Sequence, residues 1–404
     1  MVKGKHLVAL VPAILIVTAL LAAGCGSSAS DSATGGATSG EPIKVGVIYS
    51  ATGIAAAPSK ELVDTLKLEL KTVNAAGGID GRPIEFVMAD DGSDAQKGVV
   101  AATKLIQDDK VTAILGPFAM FVSSPVGILA EKSQMPIIFL TPKSPADTAV
   151  QKWCFAIDYT VAQQMAQSLE VVKASGYTKW VAFAENLPGS AIGLKMLATQ
   201  ATAAGISFTV YPDTWDITEM DVSGVVTKIA AAAKKEGADA LYIGMNAYQG
   251  PYICKGLRDL GITAPIFTTA NCGSEAFFSL GSAPVEGVTL LGKATLDPPA
   301  LPDSAVTKQN AIEFMARYKQ EYGVNAGLWS TLGYDAMAVL TEALKRGGTE
   351  PAKLRDAIES TNELVALGGV YTYAPDIHDG AHGGMFQFTV KDGKFVYVKT
   401  VEVQ

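Results

Sequence analysis

Several groups of residues in this chain are of types that could do chemistry. Asp376, His378, Asp379 and His382 are metal-ligand types, but they stand in a Gly-rich stretch and read as a solvated loop. Asp90-Asp91 could serve acid–base work or a metal, yet the pair closes one apolar run and precedes a helix, so it reads as a strand end. Cys154 as a nucleophile needs a histidine partner. His6 is near the N-terminus, and His378 and His382 are remote in sequence. No Walker motif occurs, no GxGxxG follows the first strand, and no CxxC or metal-type cysteine spacing is present. What remains is a pair of loops, Gly116–Phe121 and Thr141–Ser144, suited to holding a ligand rather than transforming one.

Those loops belong to residues 111–142, VTAILGPFAMFVSSPVGILAEKSQMPIIFLTP. Val111–Leu115 is a short apolar run broken by Gly116-Pro117. Ser124-Pro125 has the form of an N-cap followed by proline at the first helical position. Met135-Pro136 stops that helix, and Ile137–Leu140 is a second apolar run ended by Thr141-Pro142. Strand, helix and strand make a parallel βαβ unit, and in open parallel sheets ligands sit outside the carboxyl ends of the strands.

The flanking chain repeats this grammar. Ile43–Tyr49 is an apolar strand. Ser59 reads as the cap of a helix whose apolar face is Leu62, Leu66, Leu70 and Val73, ended by Gly77-Gly78. Asp80-Gly81 is a turn, Pro83–Met88 a strand, and Ser93-Asp94-Ala95-Gln96 fits a capping box. The pattern shifts near Trp153–Thr160 and restarts. Strands are expected at Lys179–Ala184, Ser207–Tyr211, Ala238–Ile243 and Pro265–Thr268, with helices ending near Ala204 and running near Val222–Lys235 and Tyr252–Leu260. Glu286–Lys293 leads back towards the first lobe. Helices near Ala305–Tyr322, Leu332–Lys345 and Pro351–Ser360 cover it. A terminal hairpin turns at Asp392-Gly393. The whole reads as two doubly wound α/β lobes.

The N-terminal segment carries a different signal. Lys3 and Lys5 precede the apolar run Leu7–Ala23, which is shorter than the roughly 20 residues that span a bilayer. The run ends Leu21-Ala22-Ala23-Gly24-Cys25, which resembles a bacterial lipobox with Cys25 as the lipidated residue. The usual pattern has leucine three positions before the cysteine, where this chain has Ala22. An ordinary cleaved signal peptide and an uncleaved anchor are the alternatives. Residues 26–40 are small and polar and read as a flexible tether. The expected division is 1–24 as lipoprotein signal peptide and 25–42 as lipidated cysteine and tether. Loss of Lys3 and Lys5 with the signal takes the net charge from −8 to −10, which argues against a nucleic-acid partner. Cys154, Cys254 and Cys272 remain. Cys254–Cys272 is the better candidate for a disulfide, with three buried thiols the alternative.

The stretches IKVGVIYSATG (43–53), VNAAGGIDGRPIEFVMADDGSD (73–94), VTAILGP (111–117), MPIIFLTP (135–142), YDA (334–336) and VKDGKF (390–395) resemble the type I periplasmic binding proteins of the leucine/isoleucine/valine-binding family. Residues 73–94 are the most specific match, and the resemblance runs from Ile43 to the C-terminus. It implies an α/β fold of two Rossmann-like lobes with mostly parallel sheets joined by a three-strand hinge. Lobe 1 would comprise 43–155 plus 290–368, and lobe 2 156–289 plus 369–404. The crossings would fall near Cys154–Tyr159, Glu286–Lys293 and Leu367–Tyr373. The implied function is capture of a small ligand between the lobes and delivery to ABC transporter permease subunits. The protein would be a monomer held outside the cell membrane by its lipid anchor, with no cofactor, no metal and no enzymatic activity. A sensor module of the same fold, and an enzyme using the interlobe cleft, are the other readings.

The resemblance also implies site residues. The family holds the amino-acid carboxylate with a small hydroxyl residue in the loop after the Gly-Pro turn. That position falls on Met120, after Phe118 and Ala119, and offers a backbone N–H but no hydroxyl. After Thr141-Pro142 the positions are Lys143 and Ser144, with Lys143 either pairing with an anion or facing solvent. On the other lobe the family's aromatic is replaced near Ser190, its tyrosine aligns with Asn246 beside Tyr248, and its ammonium-pairing acid aligns with Asn271. An ammonium taken out of water needs an anionic or strongly accepting partner. A neutral Asn271 therefore widens the expected ligand to small amphipathic acids or amides, aromatic ones included, unless Glu275 supplies the acid. Phe118 and Met120 would form an apolar wall, with plain core the alternative; Trp329 could join them, although core or helix packing is its plainer reading.

Overall fold

Strand follows helix through most of the chain because apolar runs end at glycine, proline or polar pairs. The computed structural model describes residues 40–143 and 151–402. Cys25, the tether and Ser144 lie outside the described residues. In order, the elements are β1 Ile43–Tyr49, α1 Ala56–Ala75, β2 Ile84–Asp90, α2 Ala95–Gln107, β3 Ala113–Leu115, α3 Met120–Ser133, β4 Ile137–Phe139 and β5 Cys154–Ala156. There follow α4 Val161–Ser175, β6 Lys179–Ala184, α5 Pro188–Ala203, β7 Ser207–Val210, α6 Ser223–Glu236, β8 Ala240–Gly244, α7 Gly250–Asp259, β9 Ile266–Thr268 and β10 Thr289–Gly292. The last part holds α8 Lys308–Tyr322, α9 Leu328–Gly347, α10 Pro351–Glu359, β11 Leu364–Val365, β12 Val370–Tyr371, β13 Ala381–His382, β14 Phe386–Lys391 and β15 Lys394–Thr400.

Two sheets carry the fold. The first has the order β2-β1-β3-β4-β5 and is parallel throughout. The second has the order β15-β14-β10-β9-β8-β6-β7, with β10 to β7 parallel and β14 and β15 antiparallel. The interior strands are almost wholly buried, as both faces of a parallel sheet require. Asp392 and Gly393 both take positive φ at the terminal hairpin, the geometry an Asp-Gly turn supplies.

Local chemistry moved several expected boundaries. Ser59 lies inside α1 rather than capping it, and its hydroxyl accepts the Ser50 N–H at 3.1 Å. Asp94, not Ser93, caps α2, accepting from Gln96 N and Lys97 N. Helix α3 begins at Met120, a full turn before Ser124-Pro125. Pro125 is carried inside the helix because its φ is already helical; it forfeits one backbone hydrogen bond. Helix α4 was not evident in the sequence pattern. It opens on a capping box in which Thr160 and Gln163 satisfy each other's backbone N–H. Cys254 and Cys272 are separate buried thiols and form no disulfide. Burial pushes the Cys254 thiol up to about 12. His378 is not solvated. It is buried, stacks on Phe155 at 4.3 Å, and sets Nε2 3.1 Å from Glu359 Oε1. Among the described residues no acidic, histidine and cysteine cluster could hold a metal ion.

The chain leaves the first sheet once, after β5, and between β10 and β14 of the second sheet it makes two further passages, out through α8 to α10 and back through the small sheet β11-β12-β13. One buried cluster ties these passages together. Asp158, just past β5, pairs with Lys293, just past β10, at 2.9 Å. Lys293 also lies 5.8 Å above the Tyr159 ring. Asp335 of α9, fully buried, accepts the Leu367 N–H at 2.8 Å and the Gly368 N–H at 2.9 Å. Tyr371 Oη stands 2.7 Å from Asp335 Oδ2 and 2.6 Å from the Ile157 carbonyl. One hydroxyl proton cannot serve both acceptors. When Asp335 is protonated it donates to Tyr371 and Tyr371 donates to Ile157; when ionised it accepts from Tyr371 and faces Lys293. Burial pushes the Asp335 carboxyl up to about 6, against the pull of Lys293 and of its hydrogen bonds. A side chain at Gly368 would overlap Asp335 and Lys293, so only glycine fits. Replacing Asp335 by alanine strands two buried N–H groups, the Tyr371 hydroxyl and part of the Lys293 charge. The expected loss is about 3–5 kcal/mol, read by urea unfolding against the wild type.

Candidate functional site: a cleft at facing strand ends

A cavity of about 420 Å³ opens where the carboxyl ends of both sheets meet. Its walls come from segments that follow strands: Ile54 after β1, Phe118–Phe121 after β3, Leu140–Pro142 around the end of β4, and Asp158-Tyr159 after β5. From the second sheet come Glu185 and Leu187 after β6, Asn246 and Tyr248 after β8, Thr269–Asn271 after β9, and Lys293 after β10. Such a volume is in the range of small-molecule pockets.

The side built on the first sheet is mostly apolar. Gly116 has φ +99°, and a Cβ there would overlap the Ile48 carbonyl, so glycine is required for the turn that delivers Phe118. Phe118 meets Trp329 edge to face at 5.1 Å. Trp329 sits in the first turn of α9, and that turn is anchored by Glu61 of α1. The Glu61 carboxylate accepts Gly327 N at 2.8 Å, Ser330 N at 2.9 Å and Ser330 Oγ at 2.7 Å. Trp329 is thus part of the cavity wall rather than plain core. Met120 is the first residue of α3, so its N–H and that of Phe121 have no carbonyl partner within the helix. The N-terminus of α3 opens into the cavity, an arrangement that favours a carboxylate. Thr141 is in the wall. Lys143 is not among the lining residues, and Ser144 lies outside the described residues.

The side built on the second sheet is polar and is organised by Glu185, which is 1% exposed. Asn246 Nδ2 donates to Glu185 Oε2 at 3.0 Å, and Asn271 and Ser190 also hydrogen-bond this carboxyl. Burial pushes Glu185 up to about 7, against those three hydrogen bonds, which pull it down. Asn246 has nothing left for a ligand. Its other amide hydrogen points to Gln249 Oε1 at 3.0 Å, and its oxygen accepts Tyr248 N at 2.9 Å and Gln249 N at 3.0 Å. Gln249, fully buried, accepts Trp215 Nε1 at 2.9 Å and donates to the carbonyls of Asp216 and Glu219. It thereby holds the loop whose Ile217 lines the cavity.

The structure brings Phe118, Ala119, Met120, Thr141, Ser190, Asn246, Tyr248 and Asn271 around one cavity. Asn246 stands there as a positioning group. Glu275 is not the missing acid: it is exposed and accepts from Asn325 Nδ2 at 2.7 Å. Sequence reasoning passed over Glu185, the residue directly after the expected strand Lys179–Ala184. The available signal was a carboxylate directly after the buried run Trp180–Ala184, at a strand's carboxyl end. The Asp158–Lys293 pair, also in the wall, was likewise passed over.

A family model described as periplasmic binding protein matches residues 42–394. The Leu/Ile/Val-binding protein BraC3 of Rhizobium johnstonii is 25% identical over 337 residues, covering 82% of this chain and 87% of that protein. An amino acid binding protein of Pseudomonas aeruginosa is 24% identical, covering 81% and 84%. Among solved structures, an extracellular ligand-binding receptor from Rhodopseudomonas palustris HaA2 is similar at TM-score 0.78 and 24% identity, over 89% of this chain and all of that one. The branched-chain amino acid transporter substrate binding protein LivJ of Streptococcus pneumoniae, in complex with isoleucine, is similar at TM-score 0.76 and 21% identity, over 89% of this chain. The chain belongs to the periplasmic binding protein family, as a type I member of its leucine/isoleucine/valine-binding group.

Replacing Gln249 by alanine removes the tether of the Trp215–Glu219 loop and one of the four hydrogen bonds that hold the Asn246 side chain. The expected result is a loss of about 2 kcal/mol in stability together with faster proteolytic cleavage within residues 212–222. Limited proteolysis with mass mapping of the fragments reads both the rate and the site.

Proposed function

We propose that the protein is an extracytoplasmic solute-binding lipoprotein. It captures a small amphipathic ligand between two lobes and delivers it to an ABC-type permease. The ligand class is a branched-chain or related amino acid, an amide, or an aromatic carboxylic acid. One observation carries the reading: the walls of a single cavity come from the segments after the parallel strands of both sheets, apolar on one side and hydrogen-bonding on the other. A ligand that touches both walls stabilises the form in which they approach, by its extra affinity for that form. The names of the relatives, Leu/Ile/Val-binding and amino acid binding proteins, support the same ligand range.

In this reading residues 43–155 with 290–368 form one lobe, and 156–289 with 369–404 the other, closing about the passages at Asp158, Lys293 and Gly368. The ligand's apolar part packs on Phe118, Met120 and Trp329. A carboxylate, where present, meets the α3 N-terminus and Thr141, and polar donors face Glu185 and Asn271. The signal peptide and Cys25 place the protein on the outer face of the cell membrane.

A thermal-shift screen of amino acids, their amides and aromatic acids tests this. At least one is expected to raise the melting temperature, and a ligand at a hundred times its Kd adds about 2.7 kcal/mol. Trp329→Ala is expected to weaken that ligand about tenfold or more through lost apolar contact, measured by calorimetry. A flat response across the whole panel would count against a solute-binding role. Lipid attachment is checked separately: Cys25→Ser is expected to move the protein from the membrane fraction to the soluble fraction.

A further inference from the structure

Glu185 presents a charge that the protein itself does not balance. The side chain is buried, yet the groups that hydrogen-bond it, Asn246, Asn271 and Ser190, are all neutral. A carboxylate out of water needs a countercharge or a proton. Among the described residues lining the cavity, Lys293 is the one cation, and it is already engaged by Asp158, with Asp335 close behind it. Asn246 cannot turn away to serve another group, because all four of its hydrogen-bonding positions are used within the protein. The carboxyl is therefore fixed in place at a cavity wall, held by donors that orient it without neutralising it.

We propose that the missing countercharge comes from the ligand: the site takes a small molecule with a primary ammonium or similar cationic head, which settles on Glu185 and displaces a proton to solvent as it binds. The inference rests on the solute-binding reading above and narrows its ligand class. It also moves the acid. The family resemblance places the ammonium-pairing acid after β9, where this chain has Asn271, whereas here the acid is on β6's carboxyl end. The rest of the ligand falls against the Phe118–Trp329 wall.

The empty site holds a carboxyl raised to about 7. Below that pH it carries a proton that a cation must expel, so binding weakens as pH falls; above it the affinity is level. Asp335, behind Lys293, is also raised, to about 6, so the profile is read against Glu185→Gln, which leaves Asp335 in place. Burial raises the Tyr242 phenol to about 12 and also raises Tyr159, Tyr248 and the Cys272 thiol behind Glu185. Asp158 and Lys293 neutralise one another.

Titration calorimetry on the full protein uses matched probes: L-leucine with 4-methylpentanoate, and L-phenylalanine with 3-phenylpropanoate. At pH 6, two buffers of different ionisation enthalpy report the protons exchanged. The expected result is binding of an ammonium-bearing probe at least 100-fold tighter than its des-amino partner, with release of close to one proton. Its affinity should rise about tenfold per pH unit from pH 5 to about 7 and then level off. Glu185→Gln should abolish the proton release and the pH dependence. If that variant fails to fold, the preference of the wild type for each amino probe over its des-amino partner decides the point. A des-amino probe that binds as tightly as its amino partner, or an ammonium probe that binds with no proton release, overturns the inference and leaves the solute-binding reading standing. Failure of every probe, with failure of the wider thermal-shift panel, overturns both.

Discussion

The fold depends most on the buried cluster formed by Asp158, Lys293, Asp335 and Tyr371 where the chain passes between its two sheets. A buried ion pair is weak evidence of stability, because desolvation offsets much of its attraction. What it provides is a single arrangement. Asp158 belongs to the first passage, Lys293 to the second, and Leu367, Gly368 and Tyr371 to the third, while Asp335 reaches in from α9. Loss of any one of these contacts leaves a charge or an N–H unsatisfied in the interior. Because Asp158 and Lys293 also line the cavity, the group that joins the sheets forms part of the ligand's surroundings.

The two sides of the cavity are stiffened by different means. On the first sheet's side, Glu61 from α1 accepts the N-terminal N–H groups of α9 and so fixes the turn that carries Trp329. On the second sheet's side, Gln249 and Asn246 form a chain of amides that ends on Glu185. Both devices bury carboxyls whose pKa is raised: burial lifts Glu61 and Glu185, and Asp335 beneath them. The sign matters. A raised acid binds more protons folded than unfolded, so its contribution to stability is present at low pH and is lost as pH rises to its folded pKa. For Glu185 that window runs from its ordinary value of 4.5 to about 7, and for Asp335 from 3.8 to about 6. At neutral pH the empty protein therefore carries carboxylates that burial disfavours, which is the expected state of a site poised for a partner.

The strands were the most legible part of the sequence, because buried parallel strands are continuous apolar runs and their ends are marked by Gly, Pro and polar pairs. β1 and the terminal hairpin fall where the residues place them. The start of α3 was not legible, because Ser124-Pro125 carries a strong local start signal that tertiary packing overrides. The turn at Gly116 delivers the chain into a helix one turn sooner. His378 was misread as solvated because loop composition reports polarity, not the pocket formed by Phe155, Gln151 and Glu359. Within the site, Phe118, Met120, Asn246 and Asn271 could be located through the family resemblance. Asn246's role could not, since its saturation depends on Gln249 and Glu185.

The same geometry changes the meaning of Asn271. By sequence alone, a neutral residue at that position looks like the loss of an acid. In the second sheet, however, β8 lies between β6 and β9, so the residues that follow these three strands converge. Glu185 from beyond β6, Asn246 from beyond β8 and Asn271 from beyond β9 form one hydrogen-bonded group. An acid at either flank would put its charge in nearly the same place, with the other flank free to supply an amide that steadies it. Asn271 therefore carries no argument against a cationic ligand head, because it is a donor to a carboxyl that stands two strands away. The family resemblance pointed to the edge at which such a charge belongs, and the order of strands brings Glu185 to that edge.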